Sequence, residues 1–326
     1  MKGCIAILGG GAWGTALAIT MAHVGYKISL YVRDDNHAET INSTRTNNRY
    51  LPTIRLPQSI QATSDPYQAF QNVDLVMAAI PAQTLSIILK SLISFIPQKI
   101  PLVLCSKGIE RLSGRFMSDI AKEICPQNLI ATLSGPGFAE EVAKGLPTAV
   151  TIAAHNHHLA HRLAYMLSGP VFRCYASSDM MGVELGGSLK NVLALAAGIT
   201  VGRGLGASAQ AAIITRGFAE IRRIGKVLGC RTETMTGLSV LGDLILTCSS
   251  PQSRNYRYGT ALGSGQETDG FPLAEGVATA PISALMYDKY SIDAPIIRAV
   301  ASILTQEIKV DDAIEALINR PLKFED

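Results

Sequence analysis

The chain has 326 residues, enough for about two domains and a sizeable core. Hydrophobic residues make up 48% and charged residues 17%, which excludes intrinsic disorder. A net charge of +3 is too small to hold nucleic acid or an anionic membrane by bulk field, so any anion must be bound by local basic groups. No uncharged apolar run reaches the roughly 18 residues a membrane span needs, and the opening MKGCIAILGGGAWG ends in glycines, where a signal peptide would carry a cleavage site. The six cysteines have no metal spacing. The expectation is a cytoplasmic protein with free thiols, no metal and no membrane span.

In chain order, residues 4–8 read as a strand, 13–24 as a helix, 27–32 as a second strand and 35–43 as a second helix. A polar stretch with Asn47, Asn48, Pro52 and Pro57 follows, then a short strand at 60–63 and a buried one at 74–80. Pro81 opens a helix to about residue 95; 102–105 is a strand, 114–124 a helix, 129–133 a strand, and a helix starts near Phe138. Residues 148–153 and 171–175 are two more strands around a helix at 158–167, and His155, His157 and His158 before it read as a polar turn. This alternation predicts an α/β fold with a doubly wound parallel sheet. From about Asp179 only helical spacing recurs. The spacing therefore predicts a sheet domain over 1–178 and an all-helical domain over 179–326.

The first strand runs straight into Gly9-Gly10-Gly11-Ala12-Trp13-Gly14 and a helix, the context a dinucleotide fingerprint requires. Gly9 makes the tight turn, Gly11 lets a pyrophosphate approach, and Gly14 lets helix and strand pack closely. Without a ligand the same turn is simply glycine-rich. At the end of the second strand, an arginine accommodates a 2′-phosphate where an acid would hold a free 2′-hydroxyl. Arg33 stands there, ahead of Asp34 and Asp35, which favours NADP(H) with NAD(H) also accepted; a solvated tip residue is the alternative. Lys107, and the Ser134-Gly135-Pro136-Gly137 turn, follow later strands and offer a cation or N–H groups to a phosphate, or serve as ordinary turns.

In the helical half, Gly186 and Gly187 sit one turn before Lys190, and residues 192–201 carry no charge. Bare backbone there admits a flat ligand or another helix beside the amine, and burial lowers a lysine pKa toward the range of proton transfer. The alternatives are a lysine laid along apolar surface or paired with a carboxylate. Asp243 lies in the apolar run VLGDLIL, where a carboxylate needs a partner or a cap position. Ser253-Arg254-Asn255-Tyr256-Arg257 supplies the guanidinium fork and hydrogen bonds that suit phosphate, or a solvated basic loop.

Taken together, GGGAWGTALA, SKGIE, LSGPGFAEEVAKGLPTAV, ELGGSLKNVLALAAGI, GLGDLILTC (here VLGDLILTC) and SRNYRYG resemble bacterial NAD(P)-dependent glycerol-3-phosphate dehydrogenase, in order from about Ile5 to Pro295. The resemblance implies a Rossmann-type domain followed by a helical domain of the 6-phosphogluconate dehydrogenase-like type. It also implies reversible reduction of dihydroxyacetone phosphate to sn-glycerol 3-phosphate for glycerophospholipid synthesis, in a homodimer. It places proton transfer on Lys190 with Asp243. Substrate contacts fall on Lys107, Gly135, Gly137, Lys190, Asp243, Ser253, Arg254 and Asn255. Cofactor contacts fall on Gly9, Gly11, Ala12, Trp13, Gly14, Arg33, Lys107, Ala139, Arg254, Leu273 and Glu275. Two departures stand out: Gly137 replaces the family's Thr or Ser, and the segment 259–275 is several residues short, so that its usual Q-x-V-E-G reads through Leu273-Ala274-Glu275-Gly276. A β-hydroxyacid or sugar-acid dehydrogenase on the same plan, and a dinucleotide-binding sensor without turnover, are the alternative readings.

Overall fold

The computed structural model describes residues 2–321. Met1 and residues 322–326, included in the domain limits above, lie outside the described residues. The strands are β1 Cys4–Leu8, β2 Lys27–Tyr31, β3 Thr46–Asn47, β4 Leu51–Arg55, β5 Ile60–Thr63, β6 Leu75–Ala78, β7 Pro101–Leu104, β8 Leu129–Ser134, β9 Thr148–Ala153 and β10 Phe172–Ser177. Among them run α1 Ala12–Val24, α2 Asp35–Thr44, α3 Pro66–Phe70, α4 Leu85–Leu92, α5 Met117–Ile124, α6 Ala139–Ala143 and α7 His157–Leu167. The remainder is helical: α8 Met180–Gly202, α9 Gly206–Val227, α10 Thr232–Met235, α11 Asp243–Ser249, α12 Arg254–Gly263, α13 Glu275–Lys289, α14 Pro295–Leu304 and α15 Val310–Ile318.

One eight-stranded sheet has the order β10-β9-β8-β7-β6-β1-β2-β5. Successive strand side chains face opposite sides. Ile5 and Ile7 of β1 therefore join a core with α1, α2, α6 and α7, while Ala6 and Leu8 join another with α4 and α5. The sheet is wound on both faces, as expected. A separate core gathers around α8, with α9, α11, α13 and α14.

Several expectations need correction. The sheet is not wholly parallel: β9 pairs antiparallel to β8, with Thr132 opposite Ala153 and Ser134 opposite Thr151, and β10 follows β9. Buried strands have the same apolar composition in either direction, so residue types do not encode the reversal. The polar stretch after α2 contains a small antiparallel hairpin, β3–β4. Pro81 introduces a 3-10 turn at Ala82–Thr84, and α4 then stops at Leu92. Gly114 takes φ +69°, outside the helix, and α5 begins at Met117. Finally, α8 has the length and mean hydropathy (1.3) of a membrane span although Lys190 interrupts it; 89% of its most apolar window is buried inside the protein.

The strand reversal decides where α8 starts. The β10 strand ends at the sheet edge opposite the carboxyl ends of β1, β6, β7 and β8. There Met180 and Val183 pack on Ala153 at the end of β9. The helix then climbs the sheet, bringing Gly187 against Ser134 at the end of β8. Ten residues at 1.5 Å each lift Lys190 by about 15 Å, to the carboxyl edge. Asp179 fixes the foot of the climb, accepting from Gly182 N at 2.8 Å and from Arg231 N at 2.8 Å.

Candidate active site

At the carboxyl edge, α1 begins without a side-chain cap, leaving its first-turn N–H groups available to an anion. Gly9 takes φ +113°, and a Cβ there would lie 2.6 Å from the Ala79 carbonyl oxygen. A Cβ at Gly11 would meet nothing within 4 Å, whereas one at Gly14 would lie 1.9 Å from the Gly9 oxygen. Turn, open approach and close packing are thus divided among the three glycines, an arrangement that fits a dinucleotide pyrophosphate. Arg33, past the end of β2, is exposed and makes no hydrogen bond or ion pair among the described residues. The Trp13 ring lies beside Gly137, and its Nε1 is buried without a partner. Ala139 opens α6, which packs on α1.

Two lysines, one from each half of the chain, share a single carboxylate. Lys190 Nζ on α8 donates to Asp243 Oδ1 at 2.6 Å and to Thr247 Oγ1 at 2.8 Å. Lys107 Nζ, in the loop after β7, donates to Asp243 Oδ2 at 2.5 Å and to the Gly135 carbonyl at 3.1 Å. Asp243 and Lys190 are buried. Asp243 opens α11 directly after a π-helical turn at Leu238–Gly242, and its carboxylate pairs with the lysines instead of capping the helix. Burial alone would raise the Asp243 carboxyl, but the two ammonium charges and their hydrogen bonds hold it below the usual carboxylate range. Burial pushes Lys190 down to about 8; Asp243 opposes the fall and Lys107 adds to it. An ammonium has three donors, so each lysine keeps one N–H for a ligand. The cluster carries two positive charges against one negative, which favours an anionic substrate and a developing alkoxide.

The remaining expected residues lie around this centre. Gly135 takes φ +154°, with the Val150 Cα only 2.7 Å from where its Cβ would stand, so β8 turns there against β9. A side chain at Gly137 would press on Val142 and Thr148. Ser253 caps α12 by accepting from Tyr256 N at 3.2 Å, and Arg254 follows, exposed, at the first helical position. Asn255 is largely engaged within the protein: its Nδ2 donates to Asn191 Oδ1 at 2.9 Å, and its Oδ1 accepts from Gly276 N at 2.9 Å. Glu275 opens α13, and its Oε1 accepts from Ala82 N at 3.3 Å while its Oε2 is buried without a partner. Burial raises this carboxyl, against the Ala82 N–H and the Arg254 charge. Leu273 is half exposed on the approach to α13.

Sequence reasoning missed four members. Thr247 donates to Asp243 Oδ1 at 3.2 Å as well as accepting from Lys190, and its position four residues after Asp243 on a helix was the available signal. Asn191 sits next to Lys190 in an otherwise apolar run. Glu184 accepts from Ser118 N at 2.9 Å and from Ser118 Oγ, so it caps α5 from α8. Asn47, fully buried, donates to the Gly10 carbonyl at 2.9 Å and to Thr15 Oγ1 at 2.8 Å, bracing the glycine turn.

Family models described as NAD-dependent glycerol-3-phosphate dehydrogenase N-terminus and C-terminus match residues 4–160 and 179–315. A protein of Brucella canis named glycerol-3-phosphate dehydrogenase [NAD(P)+] is 56% identical over 322 residues, 99% of each chain. One of the same name from Chelativorans sp. is 55% identical over 98% of each. The crystal structure of glycerol-3-phosphate dehydrogenase from Coxiella burnetii superposes with a TM-score of 0.93 at 36% identity, covering 98% of this chain and 99% of that one. With both halves matched and relatives this similar along its whole length, the chain belongs to the NAD-dependent glycerol-3-phosphate dehydrogenase family.

Proposed function

We propose that the protein catalyses the reversible, NAD(P)-dependent reduction of dihydroxyacetone phosphate to sn-glycerol 3-phosphate. The observation that carries this reading is the buried Lys190–Asp243–Lys107 cluster at the carboxyl edge of a dinucleotide-type sheet. When bound, the nicotinamide supplies the hydride. The chain's own residues handle the proton and the charge. Lys190 keeps one N–H directed to the substrate carbonyl oxygen and gives up its proton as the alkoxide forms; in the reverse direction the neutral amine takes it back. Asp243 holds both ammonium groups in place, and Thr247 fixes the direction of Lys190 by accepting one N–H and passing a hydrogen bond to Asp243. Lys107 adds a second positive charge beside the reacting oxygen. Arg254, exposed at the start of α12, is the fork for the phosphate, with Ser253 beside it and the remaining amide N–H of Asn255 in support.

On the cofactor side, the uncapped start of α1 receives the pyrophosphate, with Gly9, Gly11, Ala12, Trp13 and Gly14 around it, and Arg33 receives the 2′-phosphate, favouring NADP(H) over NAD(H). Glu275, with an unpartnered buried oxygen, would accept a hydrogen bond from the nicotinamide end, and Ala139, Leu273, Lys107 and Arg254 would supply further contacts to the cofactor. Residues 1–178 form the cofactor unit and 179–326 the substrate unit. The same reading includes a cytoplasmic homodimer that supplies glycerophospholipid synthesis. The test is oxidation of NADPH and NADH, followed by absorbance, with dihydroxyacetone phosphate and with hydroxyacid-type ketones offered side by side. Turnover with the phosphotriose alone is expected. Turnover only with a keto acid would replace this reading by the hydroxyacid one, and dinucleotide binding with no turnover would replace it by a sensor.

A further inference from the structure

Beside the tip of β2, both oxygens of the Asp34 carboxylate have partners. Its Oδ1 caps α2 by accepting from His37 N at 3.2 Å, and its Oδ2 pairs with Arg49 at 2.7 Å. The Arg49 hydrogen bond, then the His37 N–H, hold this carboxyl below its ordinary range. Arg49 arrives from the turn between β3 and β4, closed by Tyr50 N donating to the Asn47 carbonyl at 3.1 Å. That hairpin does not hang loose. Asn47, the buried residue that braces the glycine turn through Gly10 and Thr15, also meets His37 Nε2 at 3.0 Å through its Oδ1. A single side chain thus fixes the pyrophosphate turn, α2 and the hairpin in one register, and the hairpin carries a second guanidinium to Asp34, the residue after the unpaired Arg33.

An acid at this tip discriminates against a 2′-phosphate, by repulsion, and for a 2′-hydroxyl, by accepting its hydrogen bond. Pairing with Arg49 weakens both effects: a cation offsets the charge, and Oδ2 already accepts one hydrogen bond. We infer that Arg49, held in place by Asn47, is a second determinant of cofactor choice, disposing the site toward the 2′-phosphate alongside Arg33. The inference rests on the dinucleotide reading of the sheet edge. It requires a loss of NADPH affinity that NADH does not share, which loss of a merely structural surface ion pair does not produce. Removing Arg49 weakens NADPH by withdrawing a cation, and strengthens NADH by freeing Asp34 Oδ2 for the ribose.

The experiment measures Kd by fluorescence titration for NADPH, NADH, adenosine 2′,5′-bisphosphate and 5′-AMP, on the full chain and on Arg49→Ala and Arg49→Lys. In Arg49→Ala, Kd for NADPH and for the bisphosphate should rise by roughly ten-fold, the worth of a charge-assisted contact. Kd for NADH and 5′-AMP should stay level or fall, and Arg49→Lys should lie between. The salt dependence of NADPH binding should also flatten. A ratio of NADPH to NADH Kd that shifts by less than about three-fold, or an equal weakening of both cofactors, overturns the role of Arg49 while leaving the dehydrogenase reading intact. A parent chain that binds neither dinucleotide overturns both.

Discussion

At the residue scale the decisive group is Lys190. With its pKa pushed down to about 8 by burial, it is mostly an ammonium at neutral pH and yet can release its proton. The two directions of the reaction need opposite forms of it. The kcat/KM for ketone reduction should therefore hold level below about pH 8 and decline above it, and that for glycerol 3-phosphate oxidation should rise through the same pH. Lys190→Ala should remove the shared inflection and lower kcat by about 10²–10⁴-fold while NADPH still binds. Lys190→Arg should restore little, because guanidinium does not release its proton in this range. Matching pH profiles measured in both directions check this; an inflection that survives in Lys190→Ala assigns the proton to another group. Lys190 and Asp243 were legible in the sequence because a charge inside an apolar run demands a partner. The pairing of Lys107 with Asp243 was not, since nothing local ties a loop after β7 to a helix 136 residues later. Glu184 was hidden for the opposite reason: a single acid among glycines reads as an ordinary solvated helix position.

At the element scale, α8 and α12 touch backbone to backbone. A Cβ at Gly198 would lie 2.1 Å from the Tyr256 oxygen, at Gly202 2.2 Å from the Thr260 oxygen, at Gly259 2.2 Å from the Leu195 oxygen, and at Gly263 2.3 Å from the Ile199 oxygen. Each helix thus offers glycines to the other's carbonyls, and this contact sets Asn255 against Asn191. Gly259→Ala must push the helices apart, at a cost of about 1–3 kcal/mol. A lower denaturant midpoint is expected, together with a raised KM for dihydroxyacetone phosphate, because α12 carries Ser253, Arg254 and Asn255. NADPH affinity should fall less, because of the expected cofactor contacts only Arg254 lies on α12. Equal losses in both ligands would show that the strain spreads through the whole fold. The sequence pointed to bare backbone at Gly186 and Gly187 but not to its neighbours: Gly186 admits Val240, and Gly187 admits Ser134. Strand direction and the β3–β4 hairpin were illegible, the one because pairing direction leaves no mark on composition, the other because Asn and Pro in a polar run read as loop.

At the scale of the molecule, the halves are tied where Glu184 of α8 accepts hydrogen bonds from Ser118 of α5. Burial pushes Glu184 up to about 7 from 4.5, against the hydrogen bonds from Ser118 that cap α5. The folded state holds the Glu184 proton more tightly than the unfolded chain does. Its contribution to stability is thus complete below about pH 4.5 and is lost as pH rises through about 7. Glu220, which accepts from Ile296 N and Ile297 N, is also raised to about 7 and acts with the same sign. Comparison with Glu184→Gln isolates the first group: the parent's Tm should fall relative to the variant's by on the order of 5 °C between pH 5 and pH 8. Parallel Tm curves would mean that Glu184 does not titrate in that interval.

The climb of α8 from the foot of β9 to the carboxyl edge makes that helix a ruler with a phase. One residue inserted between Met180 and Lys190 would advance the amine by about 1.5 Å and swing it by about 100° around the axis, away from Asp243 and Thr247. Deleting one swings it the other way. No repacking of neighbours restores the angle, because the helix is fixed at its foot by Asp179 and along its length by glycines set against backbone. Changes of length are therefore confined to connections outside this interval. The segment between α12 and α13 is such a place: it can shorten without turning any side chain of the lysine cluster.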